Sequence, residues 1–456
     1  MMAWSLACLS FVSVVAVEYD VEFFGARADI LPNMGHASSN TIAFCSAIEA
    51  VSHAGGGTVF ARTNGTYVTG RIELMSNVTL FIGPLATIMG SHNISDWTPR
   101  SFRTPSDACL FESECDDEPP FASGSEGVDK GVLGGLFYAV SAQNFTIKGG
   151  GKVNGAAKAF NVSPKKGVRN PLGLCRSNMF VFSMCKHVVV EDLNVEDSSA
   201  WTLNPRYSSH LRFRRLNITA PALGARGHNT DGFDPWACDD VEFTDSFYSG
   251  GDDCVAIKSG VNAPKRWFCN IPSSNILVRN VFCDGSHGLT VGSEVSGGIV
   301  NVTFDNIRIT RSGPSVRIKS NCGRGSYLHN VTYKNIQAGS VDTAVWIDMQ
   351  YGSGATTCTS RDVTRFSNIS IKNLSAESVG TAYTIIGLRV SDDPQNPNPI
   401  TGVSLENITV AKYNSIGTCH YANVDVSEVS PAFRRGVSCP SSHQSREYVQ
   451  SREMWL

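Results

Sequence analysis

Long apolar runs are missing from this chain once its first residues are passed. No later segment reaches the roughly 18 continuous apolar residues of a membrane helix, so no membrane span is expected. Charge of one sign is not in excess either, with 38 Lys and Arg against 41 Asp and Glu for a net −3. That balance argues against a nucleic-acid partner and gives little long-range steering of a polyanion, so an anionic ligand would need a local cationic patch. The 14 cysteines form no CxxC pair and no Cys/His zinc spacing, so no metal site is expected from them. The Leu/Asn signature of leucine-rich repeats is missing too, as is any linker that would split the chain in two.

The first residues, MMAWSLACLSFVSVVAVEYD, hold an apolar run too short to span a bilayer. Val14 and Ala16 suit the −3 and −1 positions of a signal-peptidase site, although the segment before the run has no Lys or Arg. Residues 1–16 are therefore expected to be a signal peptide and 17–456 one domain, secreted and acting as a monomer. The alternative for the same run is a buried N-terminal strand. Loss of Cys8 would leave 13 cysteines, an odd number, implying disulfides plus at least one thiol unpaired within the chain. Eleven Asn-X-Ser/Thr sequons also fit secretion. They are weak support, because the repeat described next writes that tripeptide for its own reasons.

At 456 residues, 42% of them hydrophobic, the chain exceeds the size at which compact cores stop growing. What it has instead is a recurring phrase. NFTIKGG from Asn144, HVVVEDLNV from His187, HLRFRRLNI from His210 and DVEFTDSFY from Asp240 are followed by NILVRNVFC from Asn275 and NVTFDNIRI from Asn301. NVTYKNIQA from Asn330, NISIKNLSA from Asn368 and GVSLENITV from Gly402 complete the series. From His187 the spacings are 23, 30, 35, 26, 29, 38 and 34 residues. Each phrase has a polar turn residue, alternating β-branched or aromatic residues, a second turn position and another short strand. Alternation of period two reads as strand, and a period of 20–50 residues reads as a solenoid. Strands this short suit a parallel β-helix, whose coils stack about 4.8 Å apart with Asn ladders at their corners.

One long helical stretch stands out, TIAFCSAIEAVSHAGGG from Thr41, with Ser38, Ser39 or Asn40 as candidate caps and three glycines as its stop. A helix there would plug the open end of the solenoid. Variation in coil length implies loops, and residues 100–135 and 155–180 are expected to be two of them.

The repeat also sorts the carboxylates of DGFDPWACDDVEFTDSFYSGGDDCVAIKSG, residues 231–260. Asp240 falls at the turn position of Asn275, Asn301 and Asn330, and Asp245 matches Asn280 and Asn306. Those two, with Asp239, read as structural turn residues. Asp252 and Asp253 differ. Neighbouring residues of a regular strand face opposite ways, and a carboxylate sent into the core is costly. Gly250 and Gly251 permit an irregular backbone that would show both to solvent. An acidic solvated loop or a calcium site is the plainer alternative. Asp231 precedes Asp252 by 21 residues, about one coil, His287 follows 35 residues later, and Arg317 and Lys319 one coil after that. Stacked coils would gather these groups into one patch.

These residues carry a family resemblance. Asn229-Thr230-Asp231, Gly251-Asp252-Asp253, Ser286-His287-Gly288 and Arg317-Ile318-Lys319 resemble, in order, the four motifs of polygalacturonases, glycoside hydrolase family 28. Ser286 departs from the Gly-His-Gly of many members, which bears on local loop shape. The resemblance runs from YDVEFFGARAD through GGGTVFARTNGTYVTG to about residue 410. It implies a right-handed parallel β-helix and hydrolysis, with inversion, of α-1,4 links between galacturonic acid units of pectin. Asp252 would be the general acid, Asp231 and Asp253 would hold and deprotonate water, and His287 would keep Asp252 protonated or bind the sugar beside it. Asn229 comes with the first motif as a substrate-side residue. Arg317 and Lys319 would bind substrate carboxylate, and Tyr351 weakly resembles a family tyrosine near the reducing-end sugar. A Cys254–Cys283 disulfide is common in the family and would brace the catalytic floor if those coils stack, with Cys269 a rival partner for either.

Carboxylates one coil apart would lie about 5 Å from each other, a separation usually read as retaining. Inversion is preferred because the motif offers two aspartates to one water instead of a lone nucleophile. The rival classes are a pectate lyase, with calcium in the acid cluster and Arg317 as base, and a non-catalytic carbohydrate-binding β-helix. Segments 291–302 and 317–330 resemble exo-acting or plant-type members. An exo-enzyme needs a wall, for which segments 100–135 and 155–180 are candidates, and a group for the terminal sugar, for which Arg324 is the candidate. The plainer alternatives are that the loops shield an edge and that Arg324 pairs with a nearby acid. Endo cleavage, or a rhamnogalacturonan or xylogalacturonan backbone, is the runner-up.

Overall fold

The structure, a computed structural model, describes residues 16–93, 96, 135–157, 178–221, 229–260, 271–352 and 354–427. Residues 1–15 of the expected signal peptide lie outside the described residues. So do Cys269 and nearly all of segments 100–135 and 155–180.

The recurring phrase becomes a bend at each coil. Asn144, His187, His210, Asp240, Asn275, Asn301, Asn330, Asn368 and Gly402 all have φ between 51° and 62°. A second left-handed residue follows five positions later from His187 on, at Asp192, Arg215, Asp245, Asn280, Asn306, Asn335, Asn373 and Asn407. Asn and Asp accept this region because their short side chains hydrogen-bond locally, whereas β-branched residues are strained there. Corner residues then pair up the stack. Asn301 donates to Asn275 at 3.2 Å, Asn330 to Asn301 at 2.6 Å and Asn368 to Asn330 at 3.3 Å. A parallel ladder joins Asp245, Asn280 and Asn306 at 2.8 Å per step. Asp240 accepts from His210 and Arg212, and Asp239 accepts from Ser274 and Asn275. All three turn aspartates thus have structural partners, as their place in the repeat implies.

Between the bends, alternate residues point inward and stack coil on coil. One inward column runs Val190, Phe213, Phe243, Val278, Phe304, Tyr333, Ile371 and Leu405. All eight are fully buried, each worth on the order of 1.5–3 kcal/mol of burial. Among the described residues, parallel ladders of this kind join 19 strands in one sheet and four in another, giving a parallel β-helix with one N-terminal α-helix. The sequons follow from the same geometry. A corner Asn, an inward apolar residue and an outward Ser or Thr spell the tripeptide at Asn301, Asn330 and Asn368.

The helix spans Ala37–His53, beginning earlier than Thr41, and neither serine nor Asn40 caps it. A short 3₁₀ turn, Met34–His36, leads into it, and the residue at its N-cap is His36, which makes no side-chain cap bond. Asn40 is occupied elsewhere. Its buried amide bonds the Arg27 backbone at 2.7 and 3.0 Å and the Val68 carbonyl at 3.1 Å, sewing the helix onto the first coils. Gly55, Gly56 and Gly57 stop the helix with positive φ, as the sequence implies.

The corner ladder makes a stability prediction at Asn301, which has φ 56° and both an amide donor and an amide acceptor bond. Asn301→Gly keeps the backbone conformation and loses the ladder bonds, about 1 kcal/mol. Asn301→Val adds left-handed strain of about 1–3 kcal/mol. Denaturant unfolding should rank wild type above Gly above Val; equal losses for the two variants would refute the backbone contribution.

Candidate active site

Beyond the bends, each coil adds a short strand to a second stack. Leu203, Phe233, Val255, Leu289 and Val316 form its inward column. Residues between these point outward onto one face, where Thr290 lies beside Arg317 and Trp236 beside Lys258. Asp231 sits at the edge of this face. Gly232 donates its amide to the Asp253 carbonyl at 3.0 Å, so Asp231 stacks beside Asp253, one residue off the expected partner Asp252. The His287 amide bonds the Asp252 carbonyl at 2.9 Å. The coil register therefore brings Asp231, Asp252, Asp253, His287, Arg317 and Lys319 together.

Neither tandem aspartate is turned out to solvent as Gly250-Gly251 suggested: Asp252 is 8% exposed and Asp253 1%. Gly250 is required for space, since a Cβ there would overlap the Tyr248 hydroxyl. Tyr248 in turn donates to the Thr230 carbonyl at 2.9 Å and steadies the Asn229–Asp231 segment. Asp253 is instead held by cations. Its Oδ1 accepts from Thr290 at 2.6 Å and Arg317 Nη1 at 3.0 Å, and its Oδ2 accepts from Lys319 Nζ at 2.9 Å. Asp252 accepts from the Asn229 backbone amide at 2.8 Å and its own neighbour's amide at 2.9 Å, and it pairs with His287 Nδ1 at 3.1 Å. Asn229 thus reaches the site through its main chain. Tyr351 faces both cations, its ring 5.4 Å from the Arg317 guanidinium and 4.9 Å from Lys319 Nζ, while Trp346 covers Arg317 at 4.7 Å.

A disulfide joins Cys254 to Cys283 with Cα atoms 5.8 Å apart, tying the segment behind Asp253 to the adjacent coil. Ser286 fits its loop with its own bonds: its hydroxyl accepts from the Gly288 amide at 3.0 Å and contacts Ser312 Oγ at 3.3 Å.

Three charged residues of this face were not anticipated: Asp234, Lys258 and Glu294. Asp234 is fully buried and interacts with the Asp231 carboxyl. Lys258 lies 3.6 Å from Asp234, 3.2 Å from Glu294 and 4.8 Å from the Trp201 ring centroid. Arg324 is near enough to Glu294 for its charge to act on that carboxyl. Alternation held the missing signal: Asp234 and Trp236, like Arg317 and Lys319, are two apart on the outward face, and Lys258 continues Trp236's column.

Charges on this face are arranged in pairs. Burial pushes the Asp252 carboxyl up, but the His287 hydrogen bond and charge, Lys319 and the Asn229 amide outweigh it and hold Asp252 below the carboxylate range. Burial also opposes ionisation of Asp253, and Lys319 and Arg317 prevail. Desolvation opposes ionisation of the half-buried Glu294 as well, yet the charges of Lys258 and Arg324 hold it down at about 2. Asp231 goes the other way: burial, then the charges of Asp234 and Asp252, drive it well above the usual range. Burial raises Asp234 to about 8 despite Lys258. Burial lowers His287, yet its bond to and charge attraction by Asp252 leave it raised above 6.5.

Donor atoms of Asp252, Asp253 and His287 lie within 4.8 Å of one another, close enough to hold a cation. Arg317 and Lys319 already occupy both oxygens of Asp253, however, so its charge is matched from within the protein.

Residues 126–430 match the family described as glycosyl hydrolases family 28. A probable polygalacturonase of Vitis vinifera is 26% identical over 409 residues, covering 87% of this chain and 76% of its own length. An exopolygalacturonase of Cochliobolus carbonum is 26% identical over 310 residues, 63% of this chain and 65% of its own. This chain therefore spans just under two thirds of that relative. Among solved structures, a hyperthermoactive exopolygalacturonase from Thermotoga maritima shares the fold, with TM-score 0.72, 24% identity, and coverage of 91% of this chain and 92% of that one.

The site geometry predicts a coupled titration. The His287 ring, followed by NMR, should titrate above 6.5, because the Asp252 bond favours its protonated form. In Asp252→Asn the burial that opposes protonation is no longer outweighed by the Asp252 bond and charge, and the value should drop. An unchanged value would contradict the pairing.

Proposed function

The chain belongs to glycosyl hydrolases family 28, and on that premise we propose that it hydrolyses α-1,4-galacturonosidic bonds in pectin, with inversion and from the chain end. The observation that carries this is the Asp252–His287 pair beside Asp253 and Asp231, with Arg317 and Lys319 as the local cationic patch an anionic polymer requires. Asp252 has the most exposed carboxyl of the three motif aspartates, so it is assigned as general acid. Its pair carries one proton that rests on His287 and is delivered to the leaving oxygen through Asp252. Water attacks the anomeric carbon as that bond breaks, giving up its proton to the base.

Asp231 and Asp253 hold that water. Asp253, fixed by two cations, stays ionised and orients it. Asp231 and Asp234 cannot both ionise easily when buried together, so they share a proton. Asp231 holds the shared proton at rest; when that proton passes to Asp234, Asp231 is left an ionised base of high proton affinity, suited to taking the proton from water. Arg317 and Lys319, already bound to Asp253, present their remaining N–H donors to a substrate carboxylate, and Tyr351 lines the same spot. Asn229 serves by fixing Asp252 through its amide.

Exo action is supported by the names of the C. carbonum and T. maritima proteins and by the resemblance of segments 291–302 and 317–330. Arg324, set near Glu294 and Lys258, is proposed to meet the terminal sugar. The disulfides Cys254–Cys283 and Cys322–Cys358 support an oxidising, extracellular setting.

A lyase reading loses ground on one geometric fact. Arg317 is bound to Asp253 at 3.0 Å, a poor state for a base that must be neutral to accept a proton.

Asp252→Asn should lower turnover of polygalacturonate by at least a hundredfold with substrate affinity kept within about threefold. Near-normal turnover would remove the acid assignment. Wild-type turnover should fall as pH rises through the raised His287 value, since the pair then loses its deliverable proton. The first product followed by NMR should have the inverted anomer, and retained configuration would overturn that assignment. Reducing ends should accumulate while viscosity barely changes; a steep early viscosity loss would favour endo cleavage.

A further inference from the structure

The coils that carry the catalytic carboxylates also break a pattern on another side of the solenoid. The first outward column past the second bend is polar in most coils, with Asn194, Asn217, Gln337 and Ser375 in register. Between Asn217 and Gln337 the same column holds Phe247, Phe282 and Arg308. The two rings are half-buried, with centroids 5.2 Å apart, and the Arg308 guanidinium lies 4.8 Å above Phe282. Arg308 is exposed and has no carboxylate partner among the described residues. Of the other charged residues here, Arg215 is held by Glu191 and Asp192, and Asp245 accepts a hydrogen bond from Asn280 at 2.8 Å. These residues line an open groove of ≈ 740 Å³.

From this we infer a second carbohydrate-binding site, for an anionic, uronate-containing polysaccharide strand, on the flank formed by Phe247, Phe282 and Arg308. A pyranose ring has one face rich in C–H groups, which packs on the negative face of an aromatic ring. A uronate carboxylate matches the guanidinium that lacks a partner. The corner amides of Asn280 and Asn306 rim the platform and supply hydrogen-bonding groups for hydroxyls. Two neighbouring aromatics in a column whose other members are polar do nothing for the coil's own bonding, since the polar residues keep the same backbone pairings. Phe282 is followed five residues later by His287, so a strand held on this flank stays close to the catalytic face. The identity of the polymer as pectin rests on the proposed function; the site itself does not.

The test uses the full chain with Phe282→Ser and Arg308→Ser together, residues of the type the column holds at Ser375. In the Asp252→Asn background, so that polymer survives, retardation in gels containing polygalacturonate should weaken at least fivefold. Gels containing a neutral polysaccharide should show no such loss. In the otherwise wild-type background, turnover of trigalacturonate should stay within twofold. Arg308→Gln alone should reduce retardation and flatten its dependence on salt. Unchanged retardation would overturn the proposal. So would a parallel loss of trigalacturonate turnover, or light scattering showing that the patch instead holds two copies of the chain together. A wild-type chain that binds polygalacturonate through this patch but does not cleave it would refute the hydrolase reading and leave the flank site standing.

Discussion

Asp253 bonds two cations that arrive from further along the solenoid, 64 and 66 residues away in sequence. That contact exists only if every intervening coil keeps its register, because a slip of one residue turns a strand's outward side chains inward. The corner ladders fix the register at one side of each coil, and the inward aliphatic and aromatic columns fix it at the other. The site is thus a consequence of solenoid stacking. Removing one partner of the buried trio would leave a desolvated charge behind, a loss of about 3–5 kcal/mol by comparison with other buried pairs.

The same stacking explains why the electrostatics differ from carboxyl to carboxyl. Asp253 lies one coil below Thr290 and meets the cations beyond it. Asp252 turns the other way, to His287 and the Asn229 amide. Asp231, buried beside Asp234 and Asp252, holds its proton most tightly. Four acids packed within adjacent coils are thereby driven apart in proton affinity, which lets one cluster serve acid and base roles.

Much of this was legible in the chain. The repeat located the first bend of each recurring phrase, including Gly402, and the strand alternation located the core columns. Spacing in whole coils gathered Asp231, Asp252, Asp253, His287, Arg317 and Lys319. Less legible were features set by tertiary contacts. Asn40 has the chemistry of a cap but was drawn away to Arg27 and Val68, contacts 13 and 28 residues distant. Both tandem aspartates were expected in solvent, since nothing local indicates that Arg317 and Lys319 would cover Asp253. Asp234 and Lys258 passed unnoticed because their neighbours, DGFDPW and CVAIKSG, read as strand and turn until the outward columns are assembled.

The central claim is that this arrangement cleaves galacturonan by water. Its most direct test is a time-resolved product profile on de-esterified polygalacturonate, recording product sizes together with ultraviolet absorbance. The account predicts saturated galacturonate or its dimer from the first minutes, with a reducing end for each bond broken and undiminished by chelator. An unsaturated, ultraviolet-absorbing product that vanishes on chelation, or tight binding with no release at all, would contradict it.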